Sequence, residues 1–193
     1  MRIDDAVATV TALAGGPVRE PNPKKLDALY RSLPRMKCVG ECASACGPVR
    51  LSPLERRRIE ARGHQWVDGR AIPLGDGEAA GIACSALDLS RLVCRVYEDR
   101  PMVCRIWGLM EALACPWGCR PEGGFLDDIE GLRLLNSALW YGGAAVAIEP
   151  KLYAMLTADP ERRAVLLEFL ERSRPVQKET VILQATIKRR PGL

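Results

Sequence analysis

The chain has 193 residues, 48% hydrophobic and 27% charged, a composition that suits a globular protein with a buried core and argues against a disordered or fibrous one. A net charge of +4 is too small and too dispersed for a nucleic-acid surface, and the one tight basic cluster is Lys188-Arg189-Arg190 at the tail. The unusual figure is eight cysteines against a single histidine.

The opening, MRIDDAVATV, has two aspartates where a secretion signal would carry its positive and apolar regions. No apolar run reaches the ~20 residues of a spanning helix. A cytoplasmic protein with reduced thiols is expected, in which many cysteines mean metal or catalysis; in an exported chain, four disulfides would be the alternative. Ile3, Val7, Val10 and Ala14 share one face of a helix over 3–14, stopped by Gly15-Gly16-Pro17. PNPKKLDALYRSLP gives a second helix that ends at Pro34.

KCVGECASACG then sets Cys38, Cys42 and Cys46 four residues apart. On a helix rising ~1.5 Å per residue, Cys38 and Cys46 would stand ~12 Å apart. One zinc with Zn–S near ~2.3 Å cannot easily gather both ends of that span. Gly40 inside the run and Gly47-Pro48 after it therefore predict a loop wrapped around a site.

In LSPLERRRIEARG, Ser52 as N-cap, Pro53 at the first helical position and Glu55 make a capping box, with Gly63 as the stop. Residues 64–97 read as short strands: an Asp68-Gly69 turn within HQWVDGRAIPL, then IACSAL and LVCRVY joined by a polar turn from Asp88 to Arg91. His64 is read as a surface or hydrogen-bonded histidine. PMVCRIWGLMEAL predicts a helix from Pro101, broken at Cys115-Pro116-Trp117-Gly118-Cys119. Cys104 falls in its first turn, where the dipole and free N–H groups would stabilise a thiolate.

LDDIEGLRLLNSALWYGG predicts a helix capped by Asp127 or Asp128, with Ile129, Leu132, Leu135 and Leu139 on one stripe and Gly142 as stop. DPERRAVLLEFLERS predicts another, with Leu166, Leu167 and Leu170 inward; a strand-like run, Val181 to Leu183, follows.

All eight cysteines lie between 38 and 119: Cys38, Cys42, Cys46, Cys84, Cys94, Cys104, Cys115 and Cys119. Core cysteines scattered at random would also appear in the last third, so the clustering favours shared ligation. With one histidine in the chain, the ligand set is thiolate-only, which suits zinc or iron–sulfur. The wide spacings and the lack of any C-x₂-C favour an iron–sulfur cluster such as [4Fe–4S], with zinc as the alternative and Cys115-x₃-Cys119 as its one knuckle. Eight ligands make two Cys₄ sites, or one site with spare thiols. Either way a Cys₄ site carries about −2, and Arg95 and Arg105, each directly after a cysteine, are the candidates to hold the cofactor's charge. The run misses the radical S-adenosylmethionine spacing by one residue.

CSALDLSRLVCRVYEDRPMVCR resembles the YkgJ-like cysteine-cluster family, the CxxCxxCC proteins described as zinc- or iron-chelating domains. Cys84 to Leu87 matches its Cys-x-x-Leu element. Cys94, Val96, Tyr97, Arg100, Pro101, Cys104 and Arg105 match its Arg-Pro block, and VRLSPLE resembles the continuation after the first cysteines. The match spans roughly residues 30 to 120. This chain departs in one place: the family's first group ends in two adjacent cysteines, whereas Gly47 follows Cys46, and Cys119 is the candidate for the missing thiol. The resemblance implies a metal site. The family also includes flagellin lysine methylases, but here no glycine-rich cofactor loop follows a strand.

The expected fold is α-rich α+β: N-terminal helices over 1–34, an irregular cysteine-cluster domain with short β-hairpins over 35–122, and a C-terminal helical region with a basic tail over 123–193. The expected activities are electron transfer or a redox reaction, a structural zinc scaffold, or a lysine-methylase-like reaction. The expected partner is a redox or other protein rather than membrane or nucleic acid.

Overall fold

The computed structural model describes residues 19–67, 70–74 and 78–172. The helix expected over 3–14, the Asp68-Gly69 turn, the strand at 181–183 and the basic tail lie outside the described residues, as do the side chains of Leu166 and Leu170.

Helix α1, Pro23–Ser32, is capped by Asn22, whose side chain accepts from Lys25 N at 3.1 Å. Helix α2, Pro53–Ala61, starts with the predicted capping box: Ser52 Oγ accepts from Glu55 N at 3.4 Å and Glu55 accepts from Ser52 N at 2.8 Å. Strands β1, Arg70–Leu74, and β2, Glu78–Ala83, pair antiparallel with Arg70 opposite Ala83. The hairpin thus sits later than expected, since residues 64–67 form no strand and Trp66 is buried in the core. IACSAL divides likewise: Ile82 and Ala83 end β2, and Cys84 opens a turn. β3, Leu87–Asp88, and β4, Val93–Cys94, form a two-residue antiparallel ladder with Leu87 opposite Cys94. Asp88 closes the joining turn by accepting from Ser90 N at 3.0 Å, Ser90 Oγ at 2.7 Å and Arg91 N at 3.2 Å.

The helix expected from Pro101 to Leu113 is much shorter. Helix α3 covers Met102–Ile106 alone, because Trp107 turns extended and Gly108 takes φ +85°. A Cβ at 108 would sit 3.0 Å from Met36 Cε, so the chain reverses tightly there before the 3₁₀ turn Glu111–Leu113. Helix α4, Asp128–Tyr141, has Asp127 as cap and ends at Gly142, as expected. Its buried positions are Ile129, Gly131 and Ala138, supported by Leu134 and Leu135; Leu132 and Leu139 are only half-buried. Gly131 is required because a Cβ there would collide with Met110 Sδ. Helix α5, Pro150–Ala158, was not anticipated; Glu149 caps it by accepting from Leu152 N at 2.9 Å. Helix α6 covers Pro160–Arg172. The result is an α-rich α+β fold.

Two apolar cores flank the cysteine region. One joins α1, α3 and α4 through Leu26, Met102, Ile106, Met110 and Ala138. The other holds Ile59, Trp66, Ala86 and Val96 together with Cys84, Cys46 and Cys94. Glu55 links them. Only 3% exposed, its carboxylate accepts from Tyr30 Oη at 2.7 Å, Met102 N at 2.7 Å, and Ser52 N and Oγ at 2.8 Å each. α1, α2 and the start of the Cys104 turn are thereby fixed to one buried charge with its hydrogen-bonding capacity filled. Among the described residues, no helix is long and apolar enough to cross a membrane.

Candidate metal centre

Sorted by which thiols shift one another, the eight cysteines fall into two sets of four. Cys46, Cys84, Cys94 and Cys104 form the first. The β3–β4 ladder sets Cys94 beside the Cys84 turn, Cys84 N donates to Cys46 O at 2.8 Å, and α3 carries Cys104. Cys38, Cys42, Cys115 and Cys119 form the second. It is clamped by the bridge between Met36 and Pro121 and by Glu122 N donating to Arg35 O at 2.8 Å. The run Cys38-Cys42-Cys46 is therefore split between the two. Gly40, at φ +80°, turns the chain, and a 3₁₀ turn over Glu41–Ala45 carries Cys46 away from its two predecessors. This is the predicted loop rather than a helix face.

Four of the thiols accept a hydrogen bond from the amide two residues on: Cys38 from Gly40 at 3.4 Å, Cys84 from Ala86, Cys94 from Val96 and Cys115 from Trp117. Each four contains two such turns. Leu87 N also reaches Cys84, and Val39 N reaches Cys119. Amides aimed at sulfur stabilise negative charge on it, the support a metal-bound thiolate receives from its surroundings.

The thiol neighbours that shift each group belong to its own four. In the first, the Cys46 thiol donates to Cys84, which raises Cys46 and lowers Cys84 relative to an ordinary thiol. Burial pushes Cys104 up to about 12, with the fields of Cys84 and Cys94 adding to it, and burial raises Cys94 as well. In the second, the amide of Val39 and the thiols of Cys115 and Cys38 lower Cys119, whereas burial raises Cys42 and Cys115. The expectation that α3 would stabilise a Cys104 thiolate fails. Its amide is already donated to Pro101 O at 3.0 Å, and burial outweighs what a five-residue helix supplies.

The donor chemistry fits a thiophilic metal. The buried Trp66 Nε1 has no hydrogen-bond partner among the described residues, and Trp66 packs in the same core as Cys46, Cys84 and Cys94. Among the described residues, no three of the donors close on one point at ligand distance; the contacts are thiol pairs within each four.

Arg105 and Arg95 differ in placement. Arg105 donates to Arg100 O at 2.6 Å and to Glu98 O, and lies over the Tyr30 ring at 4.5 Å. Arg95 is half-exposed and pairs with Asp88 at 3.4 Å. Sequence reasoning missed Arg100. Its guanidinium stacks on Tyr97 at 3.7 Å and offsets a small part of the burial that raises Cys42, Cys94 and Cys104, thiols of both fours. The signal was present in the Arg-Pro block, but only the arginines directly after cysteines were singled out. Arg100, Arg105, Tyr30 and Trp107 line a half-open cleft of about 190 Å³ whose wall includes Cys38 from one four and Cys104 from the other.

A search of the curated proteins and of the solved structures found no match. A family model does match: CxxCxxCC, "Putative zinc- or iron-chelating domain", over residues 37–120. This span contains all eight cysteines, the Arg-Pro block and Arg100. Residues 37–120 are thus similar to the zinc- or iron-chelating family that the cysteine spacing and the Arg-Pro block resemble.

Proposed function

We propose that the chain is a metal-stabilised scaffold with two mononuclear tetrathiolate sites, Cys46/Cys84/Cys94/Cys104 and Cys38/Cys42/Cys115/Cys119, each suited to zinc. The observation that carries this reading is the backbone pairing that brings distant cysteines together: Cys84 N donates to Cys46 O at 2.8 Å, Leu87 pairs with Cys94, and Met36 bridges Pro121 beside Cys38 and Cys119. Tetrahedral zinc with Zn–S near ~2.3 Å holds its sulfurs about 3.8 Å apart, so it draws on cysteines that the fold already makes neighbours. A [4Fe–4S] cube carries its four thiolates on separate irons and needs them further apart. We therefore take zinc ahead of the iron–sulfur cluster that the spacings favoured, and the metal and sulfide analysis below decides between them.

A zinc ion held by four thiolates has no open position and supplies a cross-link that adds directly to folding free energy. The chain's own residues do the rest. The turns at Gly40, Ala86, Val96 and Trp117 aim amides at sulfur, and the ladder and bridges bring distant cysteines together. Among the described residues the strands pair two by two, so such cross-links would add to a small core around Ile59 and Trp66.

Metal and sulfide analysis of anaerobically purified protein tests the reading. Two zinc ions per chain and no inorganic sulfide are expected. Cys94→Ser and Cys104→Ser should each leave one metal, Cys38→Ser and Cys115→Ser likewise, and a pair taken from different fours should leave none. Iron with equal sulfide would replace zinc by a cluster. Unchanged metal in both Cys94→Ser and Cys104→Ser would end the assignment of the first four.

A further inference from the structure

We infer that Arg100 is a positioning residue shared by the two thiol fours, a common counter-charge that makes their metal loading interdependent. The inference rests on the two-site reading above. Four thiolates around one divalent ion leave about −2 at each site, so two loaded sites in one small domain repel each other. A guanidinium that serves both reduces that repulsion only if it is fixed between them.

Arg100 is fixed. Its Nε donates to Tyr97 O at 3.0 Å, its plane lies 3.7 Å from the Tyr97 ring, and its carbonyl is held by Arg105 Nε at 2.6 Å. It lines the same cleft as Cys38 and Cys104, one thiol from each four. The neighbouring cations are committed otherwise: Arg95 to Asp88 at 3.4 Å and Arg62 to Asp99 at 2.8 Å. Arg105 faces the cleft too, but its fork is spent on the carbonyls of Arg100 and Glu98. The delocalised guanidinium suits the task, since it keeps its charge when partly buried and spreads it over a plane. By linkage, each site then alters the affinity of the other through the same residue.

The test uses the full chain and zinc in competition with a chromophoric chelator. In the unmodified chain the two ions should bind with affinities within about tenfold of each other. Arg100→Gln should weaken each ion at least tenfold and spread the two steps further apart, while Arg100→Lys recovers most of the loss at both. The same Arg100→Gln change is then made in chains that keep only one four, through Cys94→Ser with Cys104→Ser or through Cys38→Ser with Cys115→Ser. A tenfold loss in each supports the shared role; a loss in one only, or in neither, overturns it. If Arg100→Gln loses the native helical signal, Arg100→Lys decides: it must hold both ions within threefold of the unmodified chain, and a tenfold loss from either four overturns the inference. Fewer than two ions in the unmodified chain would instead defeat the two-site reading, and the inference with it.

Discussion

Glu55→Gln is the most direct test of how the fold presents the first thiol four. In the native chain one carboxylate oxygen accepts from Tyr30 Oη and Met102 N at 2.7 Å each, and the other accepts from Ser52 N and Oγ at 2.8 Å each. Glutamine retains one of those oxygens. Whichever way the amide turns, two donors lose their acceptor, and at least one of them is a backbone N–H that cannot rotate away. Hydrogen bonds to a charged group are worth roughly 1.5–3 kcal/mol each, and part of the loss returns because no charge is buried, so a net cost of about 3 kcal/mol follows. For a chain of this size that lowers Tm by roughly 6–12 °C. Thermal unfolding of the metal-loaded chain under reducing conditions, followed by circular dichroism, reads it. Since Met102 N opens the turn that carries Cys104, the variant should also release zinc more readily from the first four than from the second. A Tm within about 1 °C of the parent would refute the claim that this buried carboxylate ties α1, α2 and α3 together.

Three further outcomes are expected. Zinc affinity should rise with pH: burial raises Cys94 and Cys104 above ordinary thiols, so binding must expel protons and acid favours release; chelator competition between about pH 6 and pH 8 checks the sign, and a flat profile would contradict thiolate ligation. Gly40→Ala should cost about 1–2 kcal/mol from its φ of +80°, although a Cβ there meets open space, and denaturant unfolding measures it. Gly108→Ala carries a similar backbone cost at φ +85° and adds a 3.0 Å approach to Met36, so it should destabilise at least as much in the same assay.

The capped helices were legible because their signals are local. Ser52-Pro53 with Glu55, Asn22 before Pro23, and Asp127 with Gly142 mark α1, α2 and α4 within a few residues. α5 escaped notice because its starting signal, Glu149-Pro150, is brief and its sequence is apolar on several faces: Leu152 and Met155 remain exposed. α3 is shorter than expected because Gly108, a helix stop like Gly63 and Gly142, takes φ +85° two residues past Ile106. The reversal there depends on Met36, more than seventy residues earlier in the chain. For the site, the loop at Gly40 could be read from the sequence, and the eight cysteines stand as the proposed ligands. The division into fours could not, because it depends on long-range pairings: Met36 with Pro121, Cys84 with Cys46, and Leu87 with Cys94.

The departure from the family pattern can be argued to a definite outcome. The pattern CxxCxxCC ends in adjacent cysteines, and this chain has Cys46-Gly47. If position 47 were an empty ligand place, a thiol there should restore a site that had lost one member. The structure argues otherwise. A Cβ at 47 meets nothing within 4 Å, and Gly47 does not have a positive φ. Residue 47 therefore accepts a side chain without strain and points it into open space. The vacant role is filled elsewhere: Cys119 is 7% exposed and accepts from Val39 N and from the thiols of Cys38 and Cys115, both members of the second four. Cys119→Ser should reduce two zinc ions to one, and Gly47→Cys added to it should leave the count at one with stability unchanged within about 0.5 kcal/mol. Recovery of the second ion in the double variant, measured by metal analysis after gel filtration, would show that the thiol allocation runs through position 47 rather than through Cys119.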